Sequence, residues 1–249
     1  MSRMGIIANV DECIGCHACF IACKQENQVS PNIQWNRIRK VENREKNIIN
    51  YFRASCQHCE DPACLKVCPM KAVYKGSHGE ILIDQDKCIA CKACLAACPY
   101  GMPMFNDQKL TSYFGEKQPL FSPSNPPTKN AQPGKAEHCT LCSHRLAKGK
   151  EPACVEICPA KALTLVDFDA PTEKQKALLA KAVSLKAGVN TKPKVPLHLQ
   201  QYGFQRSCPE VAFKYWEIIE AYILADAKPG ATLRISPLFI RQDIPARRG

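Results

Sequence analysis

The sequence predicts an α+β fold: small cysteine-held modules of short strands and short helices, followed by a mostly helical and irregular C-terminal extension. Three observations predict it. Of 17 cysteines in 249 residues, 16 fall into four groups of four, with Cys208 left over. The groups are of two kinds, each present twice, with a short apolar run beside each. Aromatic content is only 7%, in keeping with small loops wrapped around inorganic centres rather than a large apolar core.

The third group carries the most specific pattern. Cys88, Cys91, Cys94 and Cys98, followed by Pro99, read C-x2-C-x2-C-x3-C-P, the bacterial ferredoxin run for iron–sulfur ligation. Three thiolates on a tight loop reach three irons of one cubane. The chain then starts a helical turn that carries the fourth cysteine toward a neighbouring cluster. Pro99 keeps Cys98 out of the helical region. Zinc favours two well-separated C-x2-C pairs. Cysteines this close in sequence rarely meet disulfide geometry, and a disulfide scaffold would be far shorter.

The other groups repeat this grammar. Met4 to Val10 is an apolar run expected as a strand, and it feeds Cys13, Cys16, Cys19 and Cys23. Ile81 to Asp84 is its counterpart before Cys88, at an offset of 75 residues. One difference matters: Lys24 follows Cys23 where Pro99 follows Cys98. Residues 24–55 form a linker expected to supply a strand and aromatic cover, with Trp35 as packing. The second group is Cys56, Cys59, Cys64 and Cys68, then Pro69. The fourth is Cys139, Cys142, Cys154 and Cys158, then Pro159. Pro62-Ala-Cys64 to Ala72 aligns with Pro152-Ala-Cys154 to Ala162 at an offset of 90. Each ends in a short apolar strand, Ala72 to Tyr74 and Ala162 to Leu165.

This is an internal duplication of a two-cluster module. Groups two and three make one module over residues 56–105. Groups one and four make the other from 1–55 and 106–168, wrapping around it. In two-cluster ferredoxins the fourth cysteine ligates the other cluster. The expected sets are therefore Cys13, Cys16, Cys19 and Cys158; Cys56, Cys59, Cys64 and Cys98; Cys88, Cys91, Cys94 and Cys68; and Cys139, Cys142, Cys154 and Cys23. They account for four 4Fe-4S clusters. Ser122 to Gly134 reads as a loop on composition.

Residues 169–249 lack the cysteine grammar and read as a docking extension. Pro171-Thr-Glu opens a helix expected to run to about Lys186. A second is expected from Pro209 to about Ala227, with Val211, Tyr215, Ile218, Ile219 and Tyr222 on one face. From Pro171 onward, 13 Lys/Arg stand against 6 Asp/Glu, so the tail carries +7 of the net +11. The charge is scattered and accompanied by no nucleic-acid motif, so it reads as partner-facing. No stretch has the length and apolarity of a membrane span, and no signal peptide is visible. Sixteen thiolates need reducing conditions, which puts cluster assembly in the cytoplasm.

His58, His138, His17 and His144 lie beside cluster cysteines. A Rieske centre needs two histidines in place of cysteines on one iron, but every ligand slot here is already a cysteine. Their expected role is a hydrogen bond near a sulfur, or a surface position. No G-x-G-x-x-G after a strand, P-loop, H-E-x-x-H or G-x-S-x-G is present, and nothing points to a substrate site. Cys208 reads as a lone buried thiol.

The stretch Cys56-Gln-His-Cys-Glu-Asp-Pro-Ala-Cys-Leu-Lys-Val-Cys-Pro69, with Cys98-Pro-Tyr-Gly101 and Cys139-Thr-Leu-Cys142-Ser-His-Arg145, resembles the iron–sulfur subunits of the dimethyl sulfoxide reductase-type molybdopterin oxidoreductases. The resemblance covers about residues 4–167. It implies an electron-transfer subunit with the ligand pairing given above, and a molybdenum or tungsten catalytic subunit as partner. It also implies, in many members, a membrane quinone-linked subunit, and a final location at either face of the membrane, reached in some cases by co-export. A free multi-cluster ferredoxin serving a hydrogenase or formate dehydrogenase is the main alternative. A zinc-binding interaction module is the third.

Overall fold

The computed structural model describes residues 2–30, 33–43, 47–107, 133–185, 191 and 197–198. Within them the chain forms short strands and helices arranged around the cysteine runs. Cys208, the Ser122 to Gly134 loop up to residue 132, and the expected helix from Pro209 to Ala227 lie outside the described residues.

Strand β1 (Met4–Asn9) has both Ile6 and Ile7 buried. A strand covered on both faces reads as a continuous apolar run, which is how the sequence announces it. After Cys13 and Cys16 comes helix α1 (Ala18–Asn27), ten residues long. Its counterpart 75 residues on, α3 (Ala93–Ala97), has only five. The difference follows from Lys24 against Pro99. Lysine lets the helix run on past Cys23. Proline forces Cys98 into an extended conformation, φ −74° and ψ 114°, and ends α3 there.

The linker expected to hold one strand holds two. Strands β2 (Asn36–Asn43) and β3 (Ile48–Ser55) form an antiparallel hairpin from Asn36↔Ser55 to Asn43↔Ile48. The sequence hides it because charged residues (Arg37, Arg39, Lys40, Arg53) interrupt the apolar alternation. Trp35 at its foot is buried, and its indole N–H donates to Glu137 Oε2 at 2.8 Å. Burial pushes the Glu137 carboxyl up to about 7, against the hydrogen bonds from Trp35 and Asn106. Trp35 is packing, as expected, with its polar end satisfied.

The second and third groups are joined by α2 (Ala63–Lys66), β4 (Val73–Lys75) and β5 (Ile81–Ile83). The two strands pair antiparallel, with Val73 opposite Ile83. Strands β6 (Met104–Asn106) and β7 (Lys135–Glu137) then pair with each other and lead to the fourth group. That group carries α4 (Ser143–Leu146) and α5 (Ala153–Glu156), followed by β8 (Leu163–Asp167). Strand β8 pairs antiparallel with β1, from Met4↔Asp167 to Ala8↔Leu163. The strand after group four is thus stitched to the strand before group one, just as β4 after group two is stitched to β5 before group three. Helix α1 packs on α5, and α2 on α3.

Helix α6 (Glu173–Ala180) starts where the sequence places it, with Thr172 and Gln175 forming a reciprocal capping box. It stops earlier than Lys186. Ala182–Val183 becomes strand β9, pairing with β10 (Leu197–His198), which runs parallel to β1. The sheet order is β8-β1-β10-β9. The β-branched Val183 and a strand partner outweigh the helical pattern there. Leu185 is buried in the main core. Thr191 Oγ1 shares a hydrogen bond of 2.7 Å with the Tyr100 hydroxyl, and its carbonyl accepts from the Asp61 N–H at 3.2 Å. No helix among the described residues is long and apolar enough to cross a membrane.

Residues beyond Phe168 therefore contribute to the packed body. Ending the chain after Phe168 strips Leu185, Thr191, β9 and β10 together. It is expected to lower unfolding stability by at least about 2 kcal/mol, the value of one buried leucine, measured by denaturant titration. A truncated protein as stable as the full chain would contradict this packing.

Candidate cluster sites

The cysteine loops are shaped by backbone that most residues avoid. Among the described residues ten non-glycine positions have positive φ, and eight lie inside the cysteine runs or three residues past a fourth cysteine. The pattern obeys the sequence repeat. Gly15 and His17 (+69° and +63°) match Ala90 and Lys92 (+62° and +60°) at the offset of 75. Lys71 and Lys161 match at the offset of 90, both at +51°. Each non-glycine position of this kind costs about 1–2 kcal/mol. Strain concentrated at one kind of site points to function. The return is that successive N–H groups turn inward into a concavity suited to an anion.

Three concavities result, and each is lined by four cysteines drawn from two runs. Concavity I holds Cys13, Cys16, Cys19 and Cys158. Concavity II holds Cys23, Cys139, Cys142 and Cys154. Concavity IV holds Cys68, Cys88, Cys91 and Cys94. The remaining four, Cys56, Cys59, Cys64 and Cys98, are mutual neighbours: Cys64 feels Cys98 and Cys59, and Cys56 feels Cys98 and Cys64. We call them quartet III. The quartets form a row. Cys19 of I neighbours Cys154 of II, Cys56 of III neighbours Cys139 of II, and Cys64 of III neighbours Cys94 of IV.

The donor chemistry fits iron–sulfur cubanes. Among the described residues no three His, Cys, Asp or Glu side chains converge on one point, as the ~2.3 Å sulfur distances of a zinc site require. The sulfurs instead stand apart around a void. Burial pushes the Cys19, Cys64 and Cys142 thiols up to about 12 and Cys94 to about 11. Such thiols are not free nucleophiles, and a metal is what would ionise them. Donors to sulfur are already in position. The Ala72 N–H meets Cys68 Sγ at 3.2 Å, and the Leu141 N–H meets Cys139 Sγ at 3.4 Å. Asn27 Nδ2 lies 3.8 Å from Cys23 Sγ and 3.7 Å from Cys142 Sγ.

His17 is exposed, a surface position as expected. His58 and His138 are buried and lie edge to face at 6.3 Å, and the His58 backbone N–H supports the Cys56 sulfur. His58 Nδ1 accepts from the Ile81 N–H, and His138 Nδ1 donates to the Cys139 carbonyl. Both serve the backbone around the cysteine loops. His144 pairs with Glu26 at 2.8 Å, and His17 sets its edge against Phe20. Sequence reasoning missed three residues that touch cysteines. Arg53 was signalled only by its place in Tyr51-Phe-Arg-Ala-Ser55, an arginine in an apolar strand shortly before Cys56. Asn27 and Thr191, whose hydroxyl supports the Cys59 thiolate, carried no motif.

The sequence has clear relatives. One 4Fe-4S dicluster domain family matches residues 48–113 and 119–168, and a second matches 12–72. The arsenate respiratory reductase iron–sulfur subunit of Shewanella sp. (strain ANA-3) is 34% identical over 229 residues, covering 81% of this chain and 97% of that protein. The B subunit of the anaerobic dimethyl sulfoxide reductase of Escherichia coli (strain K12) is 33% identical over 204 residues, covering 78% and 87%. The B subunit of the polysulfide reductase of Wolinella succinogenes is 35% identical over 200 residues, covering 78% and 92%.

Gly15 tests the loop geometry. A Cβ there would stand 2.6 Å from the Tyr51 ring, at φ +69°. Gly15→Ala is expected to displace Tyr51 and the Cys13–Cys16 loop, with a loss of about 1–2 kcal/mol from the left-handed backbone alone. Thermal unfolding checks this. An unchanged melting temperature would show that the loop is not held as described.

Proposed function

Because this chain belongs to the iron–sulfur subunits of the dimethyl sulfoxide reductase-type molybdopterin oxidoreductases, we propose that its four cysteine quartets form one row of electron carriers between a molybdenum or tungsten catalytic subunit and a second, quinone-linked or other redox partner. The chain holds four 4Fe-4S clusters and is an electron-transfer subunit, not the catalytic one. The proposed ligands are Cys13, Cys16, Cys19 and Cys158 for I; Cys23, Cys139, Cys142 and Cys154 for II; Cys56, Cys59, Cys64 and Cys98 for III; and Cys68, Cys88, Cys91 and Cys94 for IV. The observation that carries this reading is the lining of three concavities by four cysteines each, every one combining three from one run with a fourth from another.

When bound, each cluster supplies reversible one-electron chemistry at a potential tuned by sulfur hydrogen bonds, burial and nearby charge. The rest is the work of the protein's own residues. Inward N–H groups and Asn27 donate to sulfur. Ile6, Trp35, Leu141 and Tyr100 exclude water from the middle of the row. The pairings of β1 with β8 and of β4 with β5 support a division into modules 1–55 with 106–168, and 56–105. Residues beyond 198 are left to dock a partner. Assembly takes place in the reducing cytoplasm, and the partner sets the final side of the membrane. The named relatives serve reductases of arsenate, dimethyl sulfoxide and polysulfide; the substrate here belongs to the catalytic partner.

Anaerobically purified protein is expected to carry about sixteen iron and sixteen sulfide. Cys98→Ser is expected to perturb the signal of quartet III, held by Cys56, Cys59 and Cys64. Paramagnetic resonance before and after substitution checks this. A loss confined to the cluster of Cys88, Cys91 and Cys94 would overturn the cross-run pairing.

A further inference from the structure

Arg53 is an unusual charge among the described residues. It sits on β3, 2% exposed, with its side chain lining both concavity I and concavity II. Its Nη2 lies 3.6 Å from Cys139 Sγ, and its Nε has no hydrogen-bond partner. Among the described residues no carboxylate forms an ion pair with it. A buried guanidinium without a counter-ion is among the most costly arrangements a protein can hold, and this one cannot shed its proton. The groups placed to stabilise its charge, once ionised, are the sulfurs of Cys154, Cys139, Cys19 and Cys23. Two of these belong to one run and two to another, and they straddle quartets I and II.

We propose that Arg53 is a counter-cation shared by the clusters of quartets I and II, and that it holds both at a higher reduction potential than they would otherwise have. This rests on the quartets being the ligands of those clusters. The argument is electrostatic. A cluster with four thiolates is anionic, and taking up one electron adds one negative charge. No bond forms or breaks, and no proton moves. A fixed positive charge beside the sulfurs favours the reduced form of each cluster, in a surrounding where charges act strongly. Because arginine stays protonated in both states, its contribution is independent of pH. One cation facing two neighbours shifts both potentials in the same direction. Arg53 is a tuning residue; it accepts no electron itself.

The test is a redox titration of the full-length holoprotein followed by paramagnetic resonance, on the wild type and on Arg53→Gln, Arg53→Met and Arg53→Lys. In the two neutral variants, two of the four midpoint potentials are expected to fall and two to stay. An about tenfold change in the reduced-to-oxidised ratio at fixed potential corresponds to ~59 mV for one electron. Arg53→Lys is expected to restore most of the shift at neutral pH. If both neutral variants lose iron while Arg53→Lys keeps it, the counter-cation role is supported at the level of assembly. Neutral variants with full iron and four unmoved potentials would overturn the proposal, as would loss of iron in all three variants. A wild-type protein with fewer than four cluster signals would instead overturn the ligand reading on which it rests.

Discussion

Sixteen cysteine thiols gathered in four quartets, twelve of them lining three concavities, are the constraint on which the rest of this molecule depends. Without iron, burial pushes the Cys19, Cys64 and Cys142 thiols up to about 12. With iron they are thiolates, and their bonds to metal become part of the folding free energy. The chain is built accordingly. Among the described residues the strands are mostly short and the helices run from four to ten residues, while the main apolar cluster includes several of the cysteines themselves. Removing the metal removes the bonds that join the cysteine runs to one another.

Bringing anionic clusters into a protein interior demands compensation, and the fold supplies it at three ranges. Closest are the backbone N–H groups, turned inward by positive φ at Gly15, His17, Ala90, Lys92 and their relatives. Next are side-chain donors such as Asn27 and Thr191. Last is Arg53, a full charge placed where two quartets meet. These devices differ in what they specify. Backbone geometry repeats in both modules and sets the general environment. Arg53 has no buried counterpart lining concavity IV among the described residues, so it makes the two ends of the row electrically unequal.

Much of this was legible in the sequence because the cysteine spacing within a run is local. That spacing is enough to identify the loops, and the contrast of Pro99 with Lys24 noted there corresponds to a short α3 and a long α1. The offsets of 75 and 90 residues reappear in the backbone angles of Ala90, Lys92, Lys71 and Lys161. What was not legible is what distant segments contribute. The β2–β3 hairpin is hidden by arginines whose burial no local pattern reveals. Thr191 reaches Tyr100 and Asp61 from a segment with no motif. Strand β9 replaces the end of a helix because β10, farther along the chain, offers it a partner. The rings of His58 and His138 hold backbone groups through Nδ1, while the His58 backbone N–H supports the Cys56 sulfur.

The central claim is that four clusters lie in one row, in the order I, II, III, IV, each held by three cysteines of one run and one of another. Diffraction at the iron absorption edge, from anaerobically grown crystals of the holoprotein, tests it most directly. The account predicts four iron centres in that order, with Cys158, Cys23, Cys98 and Cys68 each bound to a cluster whose other three ligands come from a different run. A centre bound by all four cysteines of a single run, or a quartet without iron, would contradict it.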